Sequence, residues 1–409
     1  MKFTLAIPVI ALLPYTIGHV VSHRQRANQI AGAAYFMTNE PTGNFIISSA
    51  IGNDGKVSIK SATFAGGVGS KILQTPAPND PFFSAGSVTV SGNYLYAVNA
   101  GSNTIATFEI DPMDPTKLQA VGKPVNSGGE FPISLAVAKK RGLICVLNAG
   151  RLNGVNCYKP NASRGLIAVP NTQRLLNLNQ TTPPQPQPGP NGFSDIIFNE
   201  EETTVLISVR NINGESRGVL AAWDINTVTG ALSAKPRELN APGAQLPFSL
   251  VVLPGKNAIL ATDPLFGYDI FDLTVGPHDR SANFSIPGEL ALCWSIYNPK
   301  TGNLYLVDSP TGIISEITVN NQLQSSTLKQ YHLPGDGDAL DTSLATVNGK
   351  QFLYVLVAGT QAINVLSVQG PGNVTVIQQL GFAVPLTKLG VTQDQNYIAG
   401  MAIYLTSLY

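Results

Sequence analysis

The stretch Ser87 to Ile110, SVTVSGNYLYAVNAGSNTIATFEI, constrains the fold more than any other feature, because its pattern returns along most of the chain. Ser87 opens a short apolar run. Ser91, Gly92 and Asn93 make a polar turn, Tyr94 to Asn99 alternate apolar and polar groups, a second turn follows, and Thr104 to Ile110 form a third run. Alternation of this kind suits a half-buried β-strand, and turns of Gly, Asn and Ser separate antiparallel neighbours.

The phrase recurs behind Ser134 (SLAVAKKRGLICVLN), Ser194 (SDIIFNEEETTVLISVRN), Ser249 (SLVVLPGKNAILATD), Ser295 (SIYNPKTGNLYLVD) and Ser343 (SLATVNGKQFLYVLV). Successive serines lie 47, 60, 55, 46 and 48 residues apart. That is the spacing of four-stranded propeller blades rather than of helical solenoids. Each unit adds a third strand, such as GVLAAWDI or GYDIFDL, and a fourth, such as KLQAVGKPV or NVTVIQQL. The length from Ala33 to Val384, at about 50 residues per unit, predicts seven blades. The fold class is therefore read as all-β, a seven-bladed β-propeller of four-stranded antiparallel blades forming one domain over residues 33–409.

The first blade, beginning AAYFMTN (Ala33 to Asn39), lacks a first strand of its own. Beyond Val384 the chain offers one further strand-turn-strand. The C-terminus is thus expected to pair with Ala33 to Asn39 and close the ring, burying Leu389, Val391, Ile398, Met401 and Ile403. Two insertions interrupt the repeat. The polyproline-like TTPPQPQPGP (Thr181 to Pro190) lies between blades three and four, as a spacer or a lid over the channel, and NINGESRG (Asn211 to Gly218) lies inside blade four.

Charged residues are only 12% of the chain, and 25 Lys plus Arg balance 25 Asp plus Glu, which excludes the basic surface that nucleic acid requires. Residues 1–18 read as a signal peptide: Lys2, then the apolar Phe3 to Ile17 broken by Pro8 and Pro14, with a cut after Gly18. Residues 19–32 follow as a leader. The apolar segment is too short for a membrane span, so the expectation is a secreted, extracellular chain, with cell-wall association open. Asn161, Asn179, Asn283 and Asn373 are glycosylation acceptors consistent with export. Cys145 and Cys157 stand symmetrically about the turn Gly150 to Gly154. A disulfide and a pair of free thiols are both open there, since an oxidising compartment permits the bridge and cross-strand geometry strains it. Cys293, in the apolar run LALCWSI, reads as a buried inert thiol.

Propeller ligands sit at the axial channel, reached by loops that enter the innermost strand or leave the second. The entering loops supply Glu130, Asn191, Gln245, Glu289, Asp336 and Asp338. The ends of the second strands supply Asn39, Asn99, Asn148, Asn211, Asp263 and Asp308, with Arg151 and Arg210 close by. Such a ring suits calcium, but Asn and Asp more often cap turns, so no cofactor is expected. Just before the repeated serines stand Phe193, Phe248 and Trp294, which suit an apolar or ring-shaped ligand or simple packing between blades. The ligand-binding candidates are Arg151, Arg210, Asn191, Phe193, Gln245, Phe248 and Trp294, for a small-molecule or lipid-like ligand on a monomer. GESRG (Gly214 to Gly218) matches a nucleophile motif by chance, because it lies in a hairpin loop rather than between strand and helix. GDGDALD (Gly335 to Asp341) lacks the full calcium loop and reads as an acidic loop. His19 and His23 belong to the leader, His278 to a loop and His332 to an outermost strand. Acid–base chemistry would therefore fall to Glu130, Glu289 and Asp338.

Phrases such as NYLYAVNAGSNTIATFEIDPMDPTKLQAV and WDINTVTGAL resemble the lactonase-type seven-bladed propellers, the family of 6-phosphogluconolactonase and of fungal 3-carboxymuconate cyclase. The resemblance covers nearly the whole chain after Ala33. It implies a channel-mouth site that opens or closes a lactone ring, with a histidine entering a middle blade and arginines gripping substrate anions. This chain instead has FPIS (Phe131 to Ser134), NGFS (Asn191 to Ser194) and LPFS (Leu246 to Ser249) at those places. It looks closer to the secreted, allergen-like branch. The expectation is a catalytically degenerate lactonase-like propeller that binds a ligand or partner. The alternatives are an extracellular lactonase or cyclase, and a structural cell-wall module.

Overall fold

The computed structural model describes residues 30–75, 79–274, 276–335 and 337–406, together with Met1. Apart from Met1, the segment expected to be a signal peptide, nearly all of the expected leader with His19 and His23, and Asp336 lie outside the described residues.

The strands form seven antiparallel sheets, each built mainly from four strands that are consecutive in the chain. The blade that contains the heading phrase has Val88–Ser91 innermost, then Tyr94–Asn99, Thr104–Ile110 and Leu118–Ala120, as its turns dictate. Short extra strands, Val125–Asn126 and Arg174–Leu175, extend blades 2 and 3. The remaining innermost strands are Pro132–Ala138, Gly192–Phe198, Leu250–Leu253, Leu292–Tyr297, Ala339–Val347 and Ala399–Leu405, in blades 3 to 7 and blade 1. The repeated serines stand on these strands or just before them, so the sequence period is the angular period of the ring.

Burial follows position in the blade. Second strands such as Leu143–Asn148 and Thr204–Arg210 are buried along their whole length, because neighbouring blades cover both faces of each sheet. Outermost strands such as Ser325–His332 are mostly exposed and carry polar residues. The core therefore lies between blades, with Tyr35, Tyr96, Tyr158, Tyr305 and Tyr354 among its largest buried side chains.

Blade 1 is closed by both termini. Its innermost strand, Ala399–Leu405, pairs with Gly32–Met37, Ala34 facing Ile403 and Tyr35 facing Ala402. The expected strand-turn-strand before it is corrected. Ala383–Lys388 is a short helix, followed by an irregular path to Ile398. Pro385 lacks the N–H that a sheet ladder needs but is tolerated in the first turn of a helix. Ile398, Met401 and Val391 are buried as expected, Ile403 is half-buried, and Leu389 is exposed.

Two faces follow from this topology. The chain enters every innermost strand from one side, called here the entrance face, and leaves it on the other, the exit face.

Candidate functional site

The second strands end on the entrance face, and their Asn and Asp residues serve as ties. Asp263 Oδ2 accepts the N–H groups of Gln245 and Leu246 at 2.8 and 2.9 Å. Asp308 Oδ2 accepts those of Leu290 and Ala291 at 2.5 and 2.7 Å. Asn148 Nδ2 donates to Ser127 O at 3.1 Å and Asn39 Nδ2 to Ser70 O at 2.6 Å. Each holds a loop of the entrance face, which accounts for the pattern without a metal. Among the described residues no group of three His, Cys, Asp or Glu side chains could hold a metal ion.

The three carboxylates singled out for catalysis stand apart. Glu130 pairs with the exposed Arg151 at 3.1 Å and accepts Thr182 Oγ1 from the proline-rich segment, contacts that hold its carboxyl below the usual range. Glu289 lies beside outer strands of blade 6, accepting Ser315 Oγ and Gln330 Nε2, the latter at 3.3 Å. Burial, with Asp308 adding to it, pushes Glu289 up to about 8. Asp338 accepts Asn79 Nδ2. No partner is shared among the three.

Arg210, Phe193, Phe248 and Trp294 do come together, but inside the ring. Arg210 is 1% exposed, its guanidinium 4.7 Å from the centre of the Phe83 ring and 5.8 Å from that of Phe248. One amino group donates to Phe193 O at 2.5 Å. Burial pulls Arg210 down to about 9, against the attraction of Asp80. Phe248 packs edge-on against both Phe83 and Trp294. The segment around Asp80, whose Oδ1 accepts the N–H groups of Phe82 and Phe83 at 3.0 and 2.9 Å, covers this cluster. The proline-rich segment lies over it too: an added Cβ on Gly192 would meet both Gln187 Oε1 and Arg210 Nη2. Arg151 and Arg210 thus form no anion clamp at a mouth, since one is a rim residue and the other a buried strut. Asn191 Oδ1 accepts Asn213 N at 2.9 Å, and the Gln245 backbone carbonyl accepts Asn211 N at 3.2 Å.

Deeper along the axis are two carboxylates that the motif reading passed over. Asp195, on the innermost strand of blade 4, accepts Ser134 Oγ of blade 3 at 3.0 Å and Leu250 N of blade 5 at 2.8 Å. Asp341, on that of blade 7, accepts Gly400 N of blade 1 at 2.9 Å and Gly86 N ahead of blade 2 at 3.3 Å. Blades 5 and 6 are joined by Ser249 Oγ and Ser295 Oγ, 3.1 Å apart. Burial, the largest cause, raises Asp195 to about 7 and Asp341 to about 6. The available signal was a lone acid inside an apolar inner strand, beside Ser194 in SDIIF and just ahead of Ser343.

These carboxylates face a cavity of about 390 Å³ with Ser249, Ser295, Thr342 and Trp294. It continues past Phe198 to Glu200 and Glu202, in the loop that follows the innermost strand of blade 4, so it reaches solvent at the exit face. His278 is exposed in a loop and His332 is exposed on the outermost strand Ser325–His332, as the sequence suggested. Cys145 and Cys157 face each other on adjacent strands and form a disulfide, and Cys293 is buried with its thiol raised. Asn179 and Asn373 are exposed, and Asn161 and Asn283 half-buried. No described helix is long and apolar enough to cross a membrane.

Seven four-stranded antiparallel blades around an axial cavity define a seven-bladed β-propeller with almost no helix. No protein-family profile matches the chain, and no curated protein matches its sequence. Solved structures do. The periplasmic gluconolactonase of Pseudomonas aeruginosa superposes with a TM-score of 0.66 at 11% identity, covering 92% of this chain and 99% of that one. A candidate 6-phosphogluconolactonase of Bacteroides fragilis gives 0.61 at 12% identity, covering 91% and 98%. Another, from Bacteroides uniformis, gives 0.60 at 12%, covering 89% and 98%. At such identities the likeness is one of fold.

Proposed function

We propose that this protein is an exported, lactonase-like propeller that has lost lactone chemistry and binds a small ligand in its axial channel. The observation that carries this reading is the dispersal of the groups that the sequence offered for lactone chemistry. Glu130, Glu289 and Asp338 have separate partners, the described histidines stand on the periphery, and the one arginine at the axis is sealed under Phe83 and Phe248. General acid–base catalysis needs its groups within hydrogen-bond reach of one substrate. The cavity favours a binding role over a purely structural module, since it is of the size that small-molecule sites have. Export is supported by the Cys145–Cys157 disulfide and by four acceptor asparagines that are at least partly exposed.

The test is turnover of five- and six-membered lactones and of carboxymuconate by the purified chain, with and without calcium. No rate above background is expected, and Glu130→Gln and Glu289→Gln should leave that background unchanged. Turnover that either substitution abolishes would overturn the proposal in favour of a secreted lactonase or cyclase.

A further inference from the structure

The cavity has a pronounced charge asymmetry. Among the described residues four acids line it, Asp195 and Asp341 at depth and Glu200 and Glu202 towards the exit face, and no Lys, Arg or His does. None of the four takes part in an ion pair among the described residues. Glu200 Oε2 accepts Gly255 N at 2.7 Å and Glu202 Oε2 accepts Lys140 N at 2.8 Å, both backbone amides. The nearby Lys140 ammonium is turned to a carbonyl, Glu200 O, at 3.2 Å, and Arg141 Nε to Glu202 O. Backbone amides therefore hold these two acids, with the Lys140 and Arg141 side chains turned to neighbouring carbonyls rather than paired with the carboxylates.

A second observation is independent of the acids. Trp294 lines the same cavity at 3% exposure, and its indole Nε1 has no hydrogen-bond partner among the described residues. An indole beside concentrated negative charge offers a π face to a cation and an N–H to an acceptor. Ser249, Ser295 and Thr342 add hydroxyls, and Leu250 and Met401 add apolar surface. A bare divalent ion would want several oxygens converging at one point, and no group of three acids among the described residues provides that. An ammonium carried on an apolar body uses the acids, the hydroxyl oxygens, the indole face and the apolar surface of the lining.

We propose that the axial cavity binds a small organic amine, admitted from the exit face. This rests on the channel-binding reading above and names its ligand class. The ammonium would sit between Asp195 and Asp341, with its apolar body along Trp294, Leu250 and Met401. At depth, Asp80 feels the charges of both Asp341 and Arg210, and neither Asp80 nor Arg210 belongs to the lining. Binding favours ionised Asp195 and Asp341, so it should strengthen as pH rises from about 5 to about 8 and release protons.

The chain has two tryptophans, and Trp223 is buried in blade 4, so Trp223→Phe leaves Trp294 as the only indole reporter. Fluorescence titration would use phenethylamine, its uncharged shape match phenethyl alcohol, and calcium chloride; calorimetry on the unaltered chain reads the same binding. Phenethylamine should saturate the signal, with the alcohol and calcium at least about tenfold weaker, as expected for loss of a charge-assisted contact. Asp341→Asn should weaken the amine by a similar factor. Glu200→Gln, at an exposed position, should weaken it without altering the melting curve, which separates binding from folding. Equal binding of amine and alcohol would overturn the amine assignment while the channel reading stands. Saturation by calcium instead would overturn it in favour of a metal, and no response to any probe would overturn it outright. Lactone turnover would sink the proposed function whatever the amine does.

Discussion

A carboxylate that accepts N–H groups from a neighbouring blade is a strut as well as a charge, and for Asp195 and Asp341 the two roles pull in opposite directions. Their hydrogen bonds favour the ionised form, yet burial outweighs them and lifts the groups from 3.8 to about 7 and about 6. Between those limits the folded chain keeps protons that the unfolded chain has released. Their contribution to stability is therefore fully present below about pH 4 and is lost as pH rises through 6 to 7, at up to about 1.4 kcal/mol per pH unit for each group. Asp114, Asp272 and Glu130, all held below their usual values, act the other way and lose their contribution on acidification. Urea denaturation should show maximal stability near about pH 4 and a decline towards pH 8, and Asp195→Asn should flatten that decline. Stability rising steadily from pH 5 to pH 8 would contradict the assignment. Arg210 gives a second prediction at this scale. Arg210→Met should destabilise the protein more at pH 8, where Asp80 is ionised and left alone, than at pH 5, because Asp80 titrates at about 7. Adding Asp80→Asn should recover part of the loss, with a coupling of about 1–3 kcal/mol in a double-mutant cycle.

At the level of elements, the strands were legible because each binds its own neighbours in chain order, so period-two patterning and turn residues mark them locally. The site was legible only in part. Phe193, Phe248 and Trp294 were recognisable as large groups at equivalent places, but whether they face a ligand or one another depends on what covers them. That cover is Asp80 to Phe83 and the segment Thr181 to Pro190, whose path no periodicity encodes. Two of its anchors are long-range, Leu73 N donating to Pro184 O at 2.8 Å and Gln187 N to Gln74 Oε1 at 3.3 Å, and Gln180 Nε2 closes its base on Pro190 O at 2.9 Å. A surface loop with few buried apolar side chains adds little to global stability. Replacing residues 182–189 with a short Gly-Ser linker should therefore shift the urea midpoint by less than about 1 kcal/mol in stability while unsealing the entrance face. Acrylamide quenching reads this directly: Trp294 should become more accessible and Trp223 should not. Unchanged quenching of Trp294 would mean that the segment is a spacer and that Asp80 to Phe83 alone close the channel.

For the molecule as a whole, the ring exists only if its two ends meet. Ala399–Leu405 is the innermost strand of blade 1, and it also contacts the blades on either side. Ser343 Oγ donates to Met401 O at 2.8 Å, and Gly400 N donates to Asp341 Oδ2 at 2.9 Å. Ile398, Met401, Ala402 and Tyr404 are at most 8% exposed. At about 1.5–3 kcal/mol for each large apolar side chain, the strand contributes an amount comparable to the net stability of an ordinary domain. A chain ending at Val384 should accordingly be unfolded or aggregated, and a soluble product that melts cooperatively would refute closure as the source of stability. Truncation removes many contacts at once, so a single position makes the finer test. Gly400 has φ +80°, and a Cβ there would come within 2.6 Å of Val88 Cγ2 and 2.9 Å of Ser87 Oγ. Gly400→Ala should thus combine backbone strain with a clash against the head of blade 2, costing about 2–4 kcal/mol in urea denaturation. Gly372, also at positive φ but with open space around it, isolates the strain: Gly372→Ala should cost about 1 kcal/mol. Equal losses at the two positions would show that the ring tolerates a looser seam, and that blade 1 is held by its pairing with Gly32–Met37 rather than by its fit against blade 2.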